Sequence, residues 1–89
     1  MQVGEAVVLG TSDRPDGMQE VELKTVCPKP DFERLNVVLG SCRISVPLDR
    51  PAEESERAFK VTMRVESPIK LGDRLIVEFF HPGEQAGVH

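Results

Sequence analysis

The fold is decided by residues 35–46, LNVVLGSCRISV, in which a Gly-Ser pair separates two apolar runs. If Gly40 and Ser41 form a two-residue type II′ turn, with glycine at its first central position, the flanking runs become an antiparallel hairpin. The opposed inward pairs are then all apolar: Leu39 with Cys42, Val37 with Ile44, and Leu35 with Val46. A shift of one residue would set apolar against polar side chains throughout. The pattern therefore predicts this register, with Cys42 in the core.

The same period of two continues on both sides of the hairpin. In residues 58–66, AFKVTMRVE, apolar and polar side chains alternate as they do in a half-buried strand. Residues 18–27 and 74–80 follow the same pattern, and no segment carries a clean helical apolar stripe. All seven prolines fall between the apolar runs, where a missing N–H interrupts no ladder. We therefore predict an all-β fold.

The architecture that fits this length is a small antiparallel β-barrel or a two-layer sandwich of about six short strands, of OB-like or SH3-like size. Residues 1–82 are expected to form a single β domain, and residues 83–89 a flexible C-terminal tail. One helical turn is predicted near residues 51–57, because Asp49 can cap it and Pro51 suits its first turn. The expected core consists of Leu23, Leu35, Val37, Ile44, Val46, Phe59, Val61, Met63, Val65, Leu75, Val77 and Phe79.

The charge of the chain bears on its partners. The 89 residues carry a formal net charge of −4, which disfavours nucleic acid because phosphate binding needs clustered lysine and arginine. The first residues lack the pattern of a secretory signal, and no apolar run is long enough to cross a membrane. We therefore expect a cytoplasmic protein, or one carried within a macromolecular particle, with no membrane partner.

The sequence offers little material for a metal site or for catalysis. Cys27 and Cys42 stand alone, and His81 and His89 lie near the C-terminus, so the paired spacing of zinc ligands is missing. A catalytic Cys42 would need one of those histidines as its base, and the strand-turn-helix elbow that exposes such a nucleophile is absent. An enzyme that uses Cys42 or the acidic cluster Glu53–Glu56 is the hypothesis that we place last of three, after the two given below. We expect no enzyme activity, no metal and no cofactor.

Apolar side chains on the outward face indicate a different role. The outward set comprises Val26, Val38, Ile76 and Phe80, together with Val7 or Val8. In a lone barrel or sandwich that side faces water, and a contiguous apolar patch there marks a binding surface. We therefore predict a non-catalytic protein–protein interaction or assembly module, whose partner is a second copy of the chain or a larger complex.

The alternative prediction is a small ligand-binding or nucleic-acid-binding barrel. It depends on Arg43, Lys60 and Arg64, which would form a short basic strip on the outward face. Single-strand binders of this size stack bases on exposed aromatic side chains beside such a groove. Phe59 and Phe79 are assigned to the interior, so the strip lacks stacking partners.

Residues 67–79, SPIKLGDRLIVEF, resemble the turn and strand found late in many small β-barrels, including PilZ-type cyclic-dinucleotide domains. The resemblance implies a barrel. PilZ domains use an R-x-x-x-R segment before the barrel and a D/N-x-S-x-x-G motif within it. Here Arg14 is the only arginine before the first turn, and the second motif does not occur. No cyclic-dinucleotide function is therefore transferred to this chain.

Overall fold

The computed structural model describes residues 1–28, 32–48 and 56–83, which form a single six-stranded sheet. The strands are β1 (Gln2–Asp13), β2 (Met18–Val26), β3 (Arg34–Leu39), β4 (Cys42–Pro47), β5 (Glu56–Arg64) and β6 (Arg74–Phe80). All neighbouring strands are antiparallel, in the order β4-β3-β6-β1-β2-β5, and the sheet curls into a nearly closed barrel. No helix occurs within these residues. The predicted all-β fold is confirmed, in its barrel form.

The hairpin between β3 and β4 has the predicted register, with Leu35 opposite Val46 and Leu39 opposite Cys42. Gly40 has a φ of 60°, as the first central residue of a type II′ turn requires. Ser41, the second central residue, does not have a positive φ. Cys42 is nevertheless exposed, so its assignment to the core is wrong. The reason is its position: it lies beside the turn on β4, an end strand with a hydrogen-bonded neighbour on one side only.

The core lies between the inward faces of the strands. Seven predicted core residues are buried: Leu23, Leu35, Val37, Val61, Met63, Val77 and Phe79. Five others pack against the core but are only partly buried: Ile44, Val46, Phe59, Val65 and Leu75. Four of these five lie on or directly after β4 and β5, the end strands, where the barrel is not fully closed. The core also contains residues that the strand pattern did not single out: Ala6, Val8, Phe32, Leu48 and Ile69.

One buried polar side chain holds the segment that leads into β6. The side-chain amide nitrogen of Gln19, on β2, donates to the carbonyl oxygen of Ile69 at 2.9 Å. The amide oxygen of Gln19 accepts from the N–H of Ile69, also at 2.9 Å. Both polar ends of the buried amide are thus satisfied, and Ile69 is fixed in the core. This contact helps to set where β6 enters the sheet between β1 and β3.

Two predictions fall at the limits of the described residues. The helical turn expected near 51–57 lies outside them except for Glu56 and Arg57. That prediction is wrong for these two residues, because they belong to β5 and pair with Val26 and Thr25 of β2. The tail expected at 83–89 lies outside them except for Gly83, which is in a turn. Nothing helical in the described ranges is long or apolar enough to cross a bilayer.

Candidate interaction surface

The outward side of the barrel carries aliphatic side chains on four adjacent strands, β3, β6, β1 and β2. We call this set the apolar face; it consists of Val3, Val7, Leu9, Val26, Val38 and Ile76. Val3 and Val26 are each 60% exposed and Ile76 is 51% exposed, whereas Val38 is half-buried. Val26, Val38 and Ile76 thus lie where strand parity predicts them. Val3 and Leu9 are additions that the sequence reading missed.

Strand register brings the members of the apolar face together. Ile76 on β6 is paired with Val38 on β3 and with Glu5 on β1. One step along the same face, Val7 on β1 is paired with Arg74 on β6. Because residues two apart on a strand point to the same side, these side chains form adjoining rows on the outside of the barrel.

β1 and β2 enclose a shallow hollow of about 470 Å³ in the apolar face. Val7, Leu9 and Val26 line it, with Glu5 and Lys24 beside them. The register between β1 and β2 slips at Leu9, which has no partner residue on β2. Such a bulge locally disrupts the ladder and increases the twist of the sheet. The bulge in the β1 backbone therefore contributes to the shape of the hollow, together with the side chains that line it.

Two ion pairs border the apolar face. The Nζ of Lys24 lies 2.8 Å from a carboxylate oxygen of Glu56. The Nε of Arg43 donates to a carboxylate oxygen of Glu78 at 3.1 Å, and the Glu78 side chain is mostly buried. These four charges are therefore already matched within the chain.

Glu5 and Arg74 differ from those pairs. Both are exposed, and neither carboxylate nor guanidinium makes an ion pair or a side-chain hydrogen bond with a described residue. The hydrogen bond from the Thr25 hydroxyl to Glu5, 2.7 Å long, is accepted by the backbone carbonyl of Glu5 and does not involve its carboxylate. One acidic and one basic group thus stand unpaired within the apolar face.

Phe80 does not belong to the apolar face, although the sequence analysis included it. Its outward direction on β6 is as predicted, yet the residue is only 4% exposed. The guanidinium of Arg34, the residue paired with it on β3, lies 5.2 Å from the ring centroid. The prediction that Phe80 is an exposed interaction residue is therefore wrong, because a long neighbouring side chain covers it.

The predicted basic strip, Arg43, Lys60 and Arg64, is divided between the two end strands of the sheet. Arg43 on β4 is held by Glu78. Lys60 and Arg64 lie on β5, where Lys60 is paired across the sheet with Glu22. β4 and β5 are the two ends of the strand order and share no hydrogen-bonded pairing. Arg43 and Lys60 thus each have an acidic neighbour, which lowers the local positive potential that a phosphate backbone would need.

A second hollow, of about 650 Å³, lies between the tip of the β3–β4 hairpin and the C-terminal end of β5 with the residues that follow it. Its lining includes Cys42, Arg64 and Val65. His81 follows the far end of β6 and packs on Phe32, with ring centroids 4.3 Å apart. The described residues therefore bring no histidine to the Cys42 thiol. They also contain no group of three or more side chains that would hold a metal ion.

No protein-family model, curated protein or solved structure matches this chain.

Proposed function

We propose that this protein is a non-catalytic assembly module that associates with further copies of itself through the apolar face. The observation that carries the proposal is that Val7, Leu9 and Val26 line one hollow and Ile76 lies diagonally across from Val7, with all four exposed on three adjacent strands. Isolated exposed aliphatic residues are ordinary on a folded protein, whereas a contiguous group of this kind is typical of a binding surface.

The dimensions of the barrel suit such a contact. A stable and specific interface buries about 800 Å² on each partner. The molecule measures 36 × 32 × 18 Å, so its broad side exceeds that area. The aliphatic residues would supply the centre of the interface and the surrounding charged residues its rim, as in known protein interfaces.

Charge balance favours a second copy as the occupant. The whole chain carries a net charge of −4, which by itself would favour a basic partner. The two unpaired charges and the two ion pairs described above are balanced, however: they comprise three acidic and three basic side chains, namely Glu5, Glu56 and Glu78, and Lys24, Arg43 and Arg74. A surface that carries equal numbers of both signs can meet a second copy of itself without net repulsion.

The test is the mass of the purified protein in solution, measured by light scattering after size exclusion over a wide range of concentration. We expect a multiple of 9.9 kDa for the wild type and a monomer for Ile76→Lys, which would bury a charge in the interface. Thr62→Lys is the matched control, since it places the same side chain at an exposed position of β5 and should leave the mass unchanged. A wild type that remains at the monomer mass at millimolar concentration contradicts the proposal.

A further inference from the structure

Glu5, Ile76, Val7 and Arg74 form the four corners of one rectangle on the outside of β1 and β6. Glu5 is paired with Ile76, and Val7 with Arg74, so the two unpaired charges occupy one diagonal and the two aliphatic residues the other. With strands about 4.8 Å apart and alternate residues about 6.8 Å apart, the Cα atoms of Glu5 and Arg74 are roughly 8 Å apart.

This arrangement has a consequence for two barrels packed face to face. Consider a two-fold axis that lies in the plane of the interface and passes midway between Glu5 and Arg74, perpendicular to the line that joins them. Rotation about this axis places each of the two charges of one copy above the opposite charge of the other copy. The same axis runs close to Val7 and Ile76, so each of these residues packs near its own equivalent. Contacts of this reciprocal kind are the rule in two-fold symmetric dimers.

The other charges near the face are less suited to this role. Lys24 is already bound to Glu56 at 2.8 Å, so using it for Glu5 of another copy would break an existing ion pair. Glu5 and Arg74 lose only their hydration on association, and they regain a partner across the interface. Opposite charges that meet in this way fix the orientation of an interface and exclude wrong arrangements.

We infer that two copies associate face to face about a two-fold axis, with Glu5 of each copy paired to Arg74 of the other. The inference rests on the proposed self-association and adds its geometry and its determinants of specificity. Each dimer then contains two equivalent ion pairs, which flank an aliphatic centre.

The experiment uses two charge-reversed variants, Glu5→Arg and Arg74→Glu, purified separately. Alone, each variant would bring two pairs of like charges together, so we expect self-association at least tenfold weaker than that of the wild type. Mixed in equal amounts, the two variants bring opposite charges together at both positions. We therefore expect the mixture to regain the wild-type strength of association, with the mixed dimer as the main species in native mass spectrometry.

Lys60→Glu and Glu66→Arg are the matched controls, because they change the net charge equally at exposed positions outside the apolar face. Both should associate as the wild type does, alone and mixed. Single variants that associate normally, or a mixture that remains monomeric, overturn the two-fold arrangement. If Ile76→Lys still dissociates the wild-type assembly in that case, self-association stands and only its geometry is wrong. A monomeric wild type overturns both.

Discussion

The outward surface of β3 and β6 has two ends that are built in opposite ways. At one end Phe80 is buried beneath the guanidinium of Arg34. At the other end, four residues earlier on the same strand, Ile76 is exposed. Its paired residue on β3 is Val38, whose short side chain cannot reach across it. Phe80 is thus covered where the neighbouring strand supplies a long side chain with an apolar stem, and Ile76 has no such neighbour on β3.

The covered end is also the end where polar groups are matched. Between Ile76 and Phe80, Glu78 accepts a hydrogen bond from Arg43, and Asn36, the residue paired with Glu78 on β3, is buried. The apolar face, in contrast, holds Glu5 and Arg74 without partners in the described part of the chain. At one end of this surface the polar groups are matched within the chain, and at the other end aliphatic side chains and two charges are exposed.

The largest expected effect on the free energy of unfolding distinguishes the Phe80 end of this surface from the Ile76 end. Phe80→Ala should lower the free energy of unfolding by about 3 kcal/mol, since it removes a buried aromatic side chain and leaves a cavity. Ile76→Ala should lower it by less than about 1 kcal/mol, since an exposed side chain in a strand contributes mainly through local preference. Urea denaturation at low protein concentration measures both values. Equal losses at the two positions would contradict the distinction between a covered and an uncovered end.

Phe80 and Cys42 show how far the sequence could predict this surface. The alternation of residues predicted the register of β3 and β4, because one register alone matched apolar to apolar. The alternation could not predict how far each side chain is shielded from solvent. That shielding depends on whether a neighbouring strand is present and on the length of the side chain that it supplies. Phe80 is covered by Arg34, and Cys42 on the end strand β4 is not covered.

β1 was harder to predict, for a different reason. Its inward positions hold the small or branched residues Gly4, Ala6 and Val8, while Val7 and Leu9 on its outward side are equally apolar. Hydropathy with a period of two therefore cannot distinguish the two faces. The structure shows why Gly4 suits the inward side: a Cβ there would lie 3.0 Å from the Phe79 ring, so a larger residue would require the ring to shift.

A smaller effect should follow from the ion pair at the covered end. Arg43→Ala removes the hydrogen bond to Glu78, whose side chain is mostly buried, and should lower the free energy of unfolding by about 1 kcal/mol. Arg74→Ala is the matched change in the apolar face and should alter it by less than about 0.5 kcal/mol, since no partner is lost. Urea denaturation in dilute protein again compares them. A larger loss for Arg74→Ala would mean that Arg74 stabilises the single chain and is not free for a partner.

The smallest effect on the folded chain is expected at Leu9, in the hollow of the apolar face. Leu9→Ser should change the free energy of unfolding by no more than about 0.5 kcal/mol in dilute protein, because Leu9 is exposed and lies at the bulge of β1. At high concentration the wild type should gain in Tm, since association stabilises the folded form by mass action, and Leu9→Ser should gain less.

The concentration dependence of Tm therefore distinguishes the two roles that an exposed leucine can have. Thr62→Ser, a similar trimming at an exposed position of β5, should follow the wild type at every concentration. A loss near 2 kcal/mol for dilute Leu9→Ser would show that the chain itself covers Leu9, and the hollow would then belong to the covered surface. A Tm that is independent of concentration in all three proteins would remove the apolar face as a site of self-association. The expected result, an unchanged dilute Tm with a reduced gain at high concentration, is specific to a residue whose packing partner is another molecule.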